Sequence, residues 1–111
     1  MRLLPSLLAL LLSTSLFAAP RELTFTNKEE GGKKVWLPST AEFKAGEEVS
    51  LKLVNTLKDV HGFEIPGVSE AIPVPAGETK TITVKIPKAG EYPFRCHMHP
   101  AHVGGSITVK E

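Results

Sequence analysis

The strongest candidate metal ligands of the sequence lie in two short segments. All four histidines and the only cysteine are found either at His61 or in the segment CHMHPAH, residues 96–102. Within that segment two residues separate Cys96 from His99, and two more separate His99 from His102. A thiolate is a soft ligand and imidazole suits borderline metals, so this set favours copper or zinc over magnesium or calcium.

Cys96 cannot form a disulfide within this chain, because the sequence contains no second cysteine. Its thiol could be an inert core residue, an intermolecular bridge or a metal ligand. The histidines clustered around it favour the metal ligand. A cysteine and two histidines in one plane, with a weaker axial ligand, form the arrangement of blue-copper sites. We therefore predict one metal site formed by His61, Cys96, His99 and His102.

Three other side chains near these residues are weaker candidates as ligands. His97 follows Cys96 directly, so alternation along an extended segment turns it to the opposite face, and we expect it at the surface. Glu64 follows His61 by three residues and is expected to face the other way. Met98 is expected to pack within the loop.

The sequence shows no catalytic motif apart from these metal ligands. It has no Ser-His-Asp order, no paired carboxylates and no phosphate-binding loop. Three or four strong protein ligands would also leave a metal ion little room for a substrate. We therefore expect a protein that is not an enzyme.

Short alternating segments predict an all-β domain that holds these ligands. Nine glycines and nine prolines punctuate the chain, as expected for many short strands joined by turns. Residues 49–55 alternate apolar and polar side chains, and residues 79–86 are rich in β-branched residues. Seven or eight strands in this length favour a β-sandwich or barrel. Residues 41–44 could form one helical turn.

The first residues have the layout of a secretory signal peptide. Arg2 supplies a positive charge, residues 3–12 are rich in leucine, and small residues follow up to Ala19. We predict a signal peptide over residues 1–18 and a single domain over residues 19–111. The domain is then expected in the periplasm or otherwise outside the cytoplasm, with no stable membrane insertion after cleavage.

The charge of the predicted mature domain gives no support for a polyanionic partner. Loss of the signal peptide removes Arg2 alone from the 13 basic residues, and 12 acidic residues balance the remainder. We therefore expect no nucleic-acid binding. The expected oligomeric state is a monomer.

The run from Gly90 to Gly105, GEYPFRCHMHPAHVGG, resembles the C-terminal copper loop of the cupredoxin family. It is most similar to the short Cys-x-x-His-x-x-Met loop of amicyanin and pseudoazurin. A strand ending in Asn55, a His-x-Phe strand at His61 and a Pro-Ala-Gly-Glu turn at residues 75–78 extend the resemblance upstream. The resemblance implies a Greek-key β-sandwich of seven to eight strands and one type 1-like copper ion cycling between Cu(I) and Cu(II). It places His61, Cys96 and His99 at the equatorial positions.

Two positions depart from this family pattern. His102 occupies the place of the axial methionine, which bears on the spectrum and the potential of the site. Gly62 stands where an asparagine that pins the copper loop is common, which bears on how firmly the loop is held.

The resemblance implies electron transfer to or from a partner protein. A periplasmic metal-handling protein is the alternative, with a role in copper resistance, storage or delivery, or in metal uptake beside a transporter. Both functions use the same ligands, so the sequence leaves both open and does not identify the redox partner or transporter.

Overall fold

Strands account for the regular structure of residues 20–111, the part of the chain that the computed structural model describes. This part contains no helix. The predicted signal peptide, residues 1–18, lies outside the described residues. The strands, in chain order, are β1 (Arg21–Glu30), β2 (Lys33–Leu37), β3 (Thr40–Lys44), β4 (Glu48–Asn55), β5 (His61–Phe63), β6 (Ile72–Val74), β7 (Thr79–Lys85), β8 (Gly90–Phe94) and β9 (Gly105–Lys110).

The strands form two main sheets and one short ladder. The first sheet has the order β2-β1-β4-β7, the second has the order β3-β9-β8, and β5 pairs with β6. The pairs β1–β4 and β3–β9 are parallel, and the other ladders are antiparallel. Parallel neighbours need crossover connections, so the chain passes from the first sheet to β3 and back to β4. The predicted all-β class is confirmed, with nine strands where seven to eight were expected.

The predicted helical turn at residues 41–44 is wrong, because these residues belong to β3. The strand pairs in parallel with β9, with Phe43 opposite Val109. Phe43 is buried, whereas its neighbours Glu42 and Lys44 are exposed, which is the alternation of a strand with one inward face. Pairing with a strand more than sixty residues away outweighs the local helical preference.

A cluster of aromatic rings fills the core next to the predicted ligands. The rings of Phe25, Phe63 and Phe94 lie 5.0–5.2 Å from one another, and the Trp36 ring lies 5.4 Å from that of Phe63. The pairs include tilted, stacked and edge-to-face contacts, and offset-stacked and edge-to-face arrangements are favourable for aromatic rings. Phe63 follows His61 by two residues, so on an extended chain the two side chains share a face. The aromatic cluster therefore gives the predicted metal site a closely packed floor.

Candidate metal centre

A backbone link joins the strand of His61 to the segment that carries Cys96. The amide of Glu64 donates to the carbonyl of Arg95 at 2.8 Å, and the amide of Arg95 donates to the carbonyl of Glu64 at 2.9 Å. Their side chains also form a 2.9 Å ion pair at the surface. This pairing brings His61 close to Cys96 although 35 residues separate them in the sequence.

His61, Cys96 and His99 converge into one cluster of donor atoms. One ligand atom from each lies within 4.8 Å of the other two. The Cys96 Sγ lies 3.6 Å from His99 Nδ1, and the rings of His61 and His99 are 4.4 Å apart. His61 and Cys96 are buried, whereas His99 is half-buried. The structure thus brings together three of the four residues that the sequence predicts as ligands.

The His61 ring is buried without a hydrogen-bonding partner. It is 1% exposed, and neither ring nitrogen has a partner among residues 20–111. Burial, together with smaller contributions from His99, His102 and Lys34 when they are positively charged, lowers the pKa of His61 to about 4. The imidazole is therefore neutral at pH 7, with a lone pair beside a thiol and a second imidazole. A metal ion would use that lone pair, so the residues present fit a metal site.

The sulfur of Cys96 is held by the backbone of the strand that carries His61. The amide of Gly62 donates to Cys96 Sγ at 3.2 Å. The carbonyl of the same Gly62 accepts a 2.9 Å bond from the Trp36 indole N–H. The amide of Gly62 therefore orients the Cys96 sulfur, and its carbonyl ties the same residue to Trp36 in the core.

His97 and Met98 lie at the surface of the loop rather than in the cluster. Met98 is 40% exposed, and His97 is exposed as the sequence predicts. The His97 ring covers Gly62 so closely that a Cβ at position 62 would overlap ring atoms. The space beside Gly62 is thus filled by a side chain of the same loop that carries Cys96 and His99. This contact was not predicted, and the glycine at position 62 was the sequence feature that could have indicated it.

His102 lies beside the cluster, with both ring nitrogens directed at other groups. Its Nε2 lies 2.7 Å from Asn27 Oδ1, and its Nδ1 lies 3.1 Å from the carbonyl oxygen of Val103. The side chain is 8% exposed, and this burial lowers its pKa. The His102 and His61 rings are 5.3 Å apart. Among the described residues His102 does not join the close group of donor atoms, so its role as a fourth ligand stays a prediction.

Residues 3–109 match the family of cupredoxin-like domains. The chain belongs to this family. This result confirms the resemblance drawn from the loop and the strand pattern. Among curated proteins, none matches the sequence.

Solved structures with the same fold include several multicopper oxidases. McoA from the hyperthermophile Aquifex aeolicus shares 16% sequence identity and a TM-score of 0.72 over 84% of this chain and 30% of its own. A second multicopper oxidase has 17% sequence identity to this chain and a TM-score of 0.68. The match covers 85% of this chain and 45% of that protein. The multicopper oxidase mgLAC has 18% sequence identity to this chain and a TM-score of 0.68. The match covers 83% of this chain and 39% of that protein. At these identities the likeness is one of fold.

The expectation that this cupredoxin-like chain is not an enzyme is corrected by these relatives in structure. The three proteins are multicopper oxidases, which are enzymes, and this chain spans 30 to 45% of their length. The expectation was wrong because it rested on the absence of acid, base and nucleophile motifs. A redox enzyme relies on its metal for the chemistry, so the lack of those motifs does not exclude catalysis.

Two buried asparagines of the domain connect His102 to the core, and the sequence analysis did not identify them as part of the site. Asn27 Nδ2 donates to Asn55 Oδ1 at 3.0 Å, and the two residues are opposite each other in the β1–β4 ladder. Asn27 is 0% exposed and Asn55 is 1% exposed. Alternation from Phe25 already predicts that Asn27 faces inward, and an inward-facing amide needs a polar partner.

A cavity of about 440 Å³ lies next to the candidate metal site. It is bordered by the three histidines of the site and by charged residues: His61, His99, His102, Lys33, Lys34 and Asp59. The positive charge of Lys34 helps to lower the pKa of both His61 and His102.

Residues 20–111 include no helix with the length and apolar character needed to span a membrane.

Proposed function

We propose that this cupredoxin-like domain binds one copper ion through His61, Cys96 and His99 and carries single electrons. The observation that supports this most strongly is the cluster of three donors within 4.8 Å. Its innermost member, His61, has no protein partner for its nitrogens in the described part of the chain. One thiolate and two imidazoles form a donor set that suits copper.

The protein residues give this site the rigidity that suits electron transfer. His61 and Cys96 lie on segments joined by the Glu64–Arg95 backbone pair. The Gly62 amide fixes the Cys96 sulfur, and the aromatic cluster packs beneath both. Ligands held in this way move little when the charge of the bound ion changes. Copper held there would supply one-electron exchange between Cu(I) and Cu(II).

The test of this function combines absorption spectroscopy with voltammetry on the copper-loaded protein. A Cys96 thiolate bound to Cu(II) should give an intense sulfur-to-copper charge-transfer band, and voltammetry should show a reversible one-electron wave. Cys96→Ser should abolish the band. Met98→Leu is the matched control, because it removes an exposed sulfur from the same loop. A colourless copper complex, or an equal band in Cys96→Ser, would exclude the proposed site.

Metal handling is the second candidate, and the exposed donors of the loop favour it. His97 and Met98 lie at the surface next to the cluster, where they could receive or pass on a soft ion. Transfer of Cu(I) to a competing chelator separates the two functions. A carrier retains copper through repeated oxidation and reduction. A handling protein releases it quickly, and Met98→Leu with His97→Gln should slow that release.

We also propose that residues 1–18 direct export and that the domain acts outside the cytoplasm as a monomer. Its partner would then be a redox protein or a metal transporter. The leucine-rich run of residues 3–12 supports the export signal. Intact mass measurement on protein from the native host should show a start near residue 19 or 20. Retention of Met1 would exclude cleavage.

A further inference from the structure

The orientation of the Asn55 amide is fixed by its surroundings. The backbone amide of Leu57 donates to Asn55 Oδ1 at 3.0 Å. Asn55 Nδ2 donates to the carbonyl oxygens of Asp59 at 2.8 Å and Val74 at 3.0 Å. A carbonyl oxygen only accepts and a backbone amide only donates, so a flipped Asn55 side chain would lose all three bonds.

The orientation of the Asn55 amide in turn fixes the orientation of the Asn27 amide and the tautomer of His102. Asn55 Oδ1 accepts from Asn27, so the nitrogen of the Asn27 amide must face it at 3.0 Å. The oxygen of the same amide then faces His102 Nε2 at 2.7 Å. An amide oxygen cannot donate, so the hydrogen of this bond belongs to Nε2. The Nε2 atom therefore has no lone pair to give to a metal ion. The lone pair of the neutral ring is then on Nδ1, which lies 3.1 Å from the carbonyl oxygen of Val103 and does not join the close group of donor atoms.

We propose that Asn27 is a positioning residue that keeps His102 out of the ligand set and so determines whether the protein supplies two or three imidazoles. The inference rests on the proposed metal site at His61, Cys96 and His99. The His102 ring is 5.3 Å from that of His61, a spacing near the 4.4 Å between the His61 and His99 rings. His102 is therefore close enough to join the site once the bond to Asn27 is removed.

Holding His102 away affects the redox properties of the site. Imidazole is a strong donor that stabilises Cu(II) relative to Cu(I), and the identity of an additional ligand is a recognised determinant of the potential. The Asn27–His102 bond would thus keep the reduction potential high. Its loss should lower the potential by about 59 mV or more, which is a tenfold change in the ratio of the two copper states.

The experiment counts the imidazoles bound to Cu(II) by pulsed electron paramagnetic resonance and records the reduction potential. The wild type should show the two imidazoles of His61 and His99. Asn27→Leu, which keeps the branched shape of the side chain without an acceptor, should show three imidazoles and the lower potential. Asn27→Leu with His102→Gln should return to two imidazoles and to the parent potential. Thr56→Val is the matched control, because it removes a 2.7 Å bond to the Asn27 backbone carbonyl and leaves the Asn27 side chain in place.

Two further measurements do not depend on the folding of Asn27→Leu. His102→Gln alone should leave the imidazole count at two, and ¹⁵N spectra of the metal-free wild type should show His102 with its hydrogen on Nε2. A count that falls in His102→Gln, a hydrogen on Nδ1, or an unchanged count and potential in folded Asn27→Leu would overturn the inference alone. A wild type that binds no copper would overturn the proposed function, and the inference with it.

Discussion

The backbone amide of Gly62 donates a 3.2 Å hydrogen bond to the sulfur of Cys96. The residue that follows the proposed ligand His61 therefore holds the sulfur of a second proposed ligand. The same glycine lies beneath the His97 ring, which leaves no room for a Cβ. Gly62 therefore joins the strand of His61 to the loop that carries Cys96 and His97 through both a hydrogen bond and a packing contact. We expect the geometry of the proposed site to depend on these two contacts.

Gly62→Ala should disturb the site because the new methyl group overlaps the His97 ring. We expect a loss of about 1–3 kcal/mol in the free energy of unfolding, typical of overpacking, and weaker copper binding. The double variant Gly62→Ala/His97→Gly should recover most of both, and His97→Gly alone is the control. Chemical unfolding and copper titration measure the two effects. Equal losses in the single and double variants would show that the contact with His97 is not the cause.

Trp36→Phe should weaken the site while keeping an aromatic ring against Phe63. The variant loses the indole N–H that donates to the Gly62 carbonyl and leaves that buried acceptor without this bond. We expect a cost of about 1–3 kcal/mol in the free energy of unfolding and a reduced copper affinity.

A substitution away from the metal centre separates the two effects of the Trp36 variant. Phe43→Leu removes a buried ring on β3 and should lower stability without changing copper affinity. Thermal unfolding and copper titration of both variants provide the comparison. A Trp36→Phe variant with parental affinity would show that the indole hydrogen bond does not orient the site.

The metal-free domain should lose stability as the pH falls from about 6.5 towards 4. Burial lowers the pKa of His61 in the folded state to about 4, whereas the unfolded chain takes up the proton near 6.5. The unfolded state binds more protons in this window, so the free energy of unfolding decreases as the pH decreases. This contribution is on the order of 3 kcal/mol at full effect.

His61→Leu isolates that contribution. The variant keeps an apolar side chain in the buried position, and its stability should depend less on pH between 6.5 and 4. His102, whose pKa is also lowered by burial, contributes in the same direction and remains in the variant. Urea unfolding at several pH values tests the difference. Parallel pH profiles for the variant and the parent would show that His61 is not buried as a neutral ring.

The three clustered donor residues could be predicted from the sequence because ligand chemistry is a property of residue types. His61, Cys96 and His99 are the donors that a thiolate-and-imidazole site requires, and alternation correctly placed His97 at the surface. The fold class also followed from alternation and turn residues. These features depend on short stretches of chain.

The environment of His102 could not be read from the sequence, because it joins residues 75 positions apart. The register of the β1–β4 ladder places Asn27 opposite Asn55, and the Asn27 side chain in turn contacts His102. Register between distant strands is set by how the whole core packs. The same cause explains the missed strand at residues 40–44, which forms only by pairing with β9.

X-ray absorption at the copper edge of the loaded wild-type protein tests the central claim most directly. We predict one copper ion per chain with one sulfur and two imidazole nitrogens as protein ligands, from Cys96, His61 and His99. A first shell without sulfur, or a protein that takes up no copper, would contradict this account.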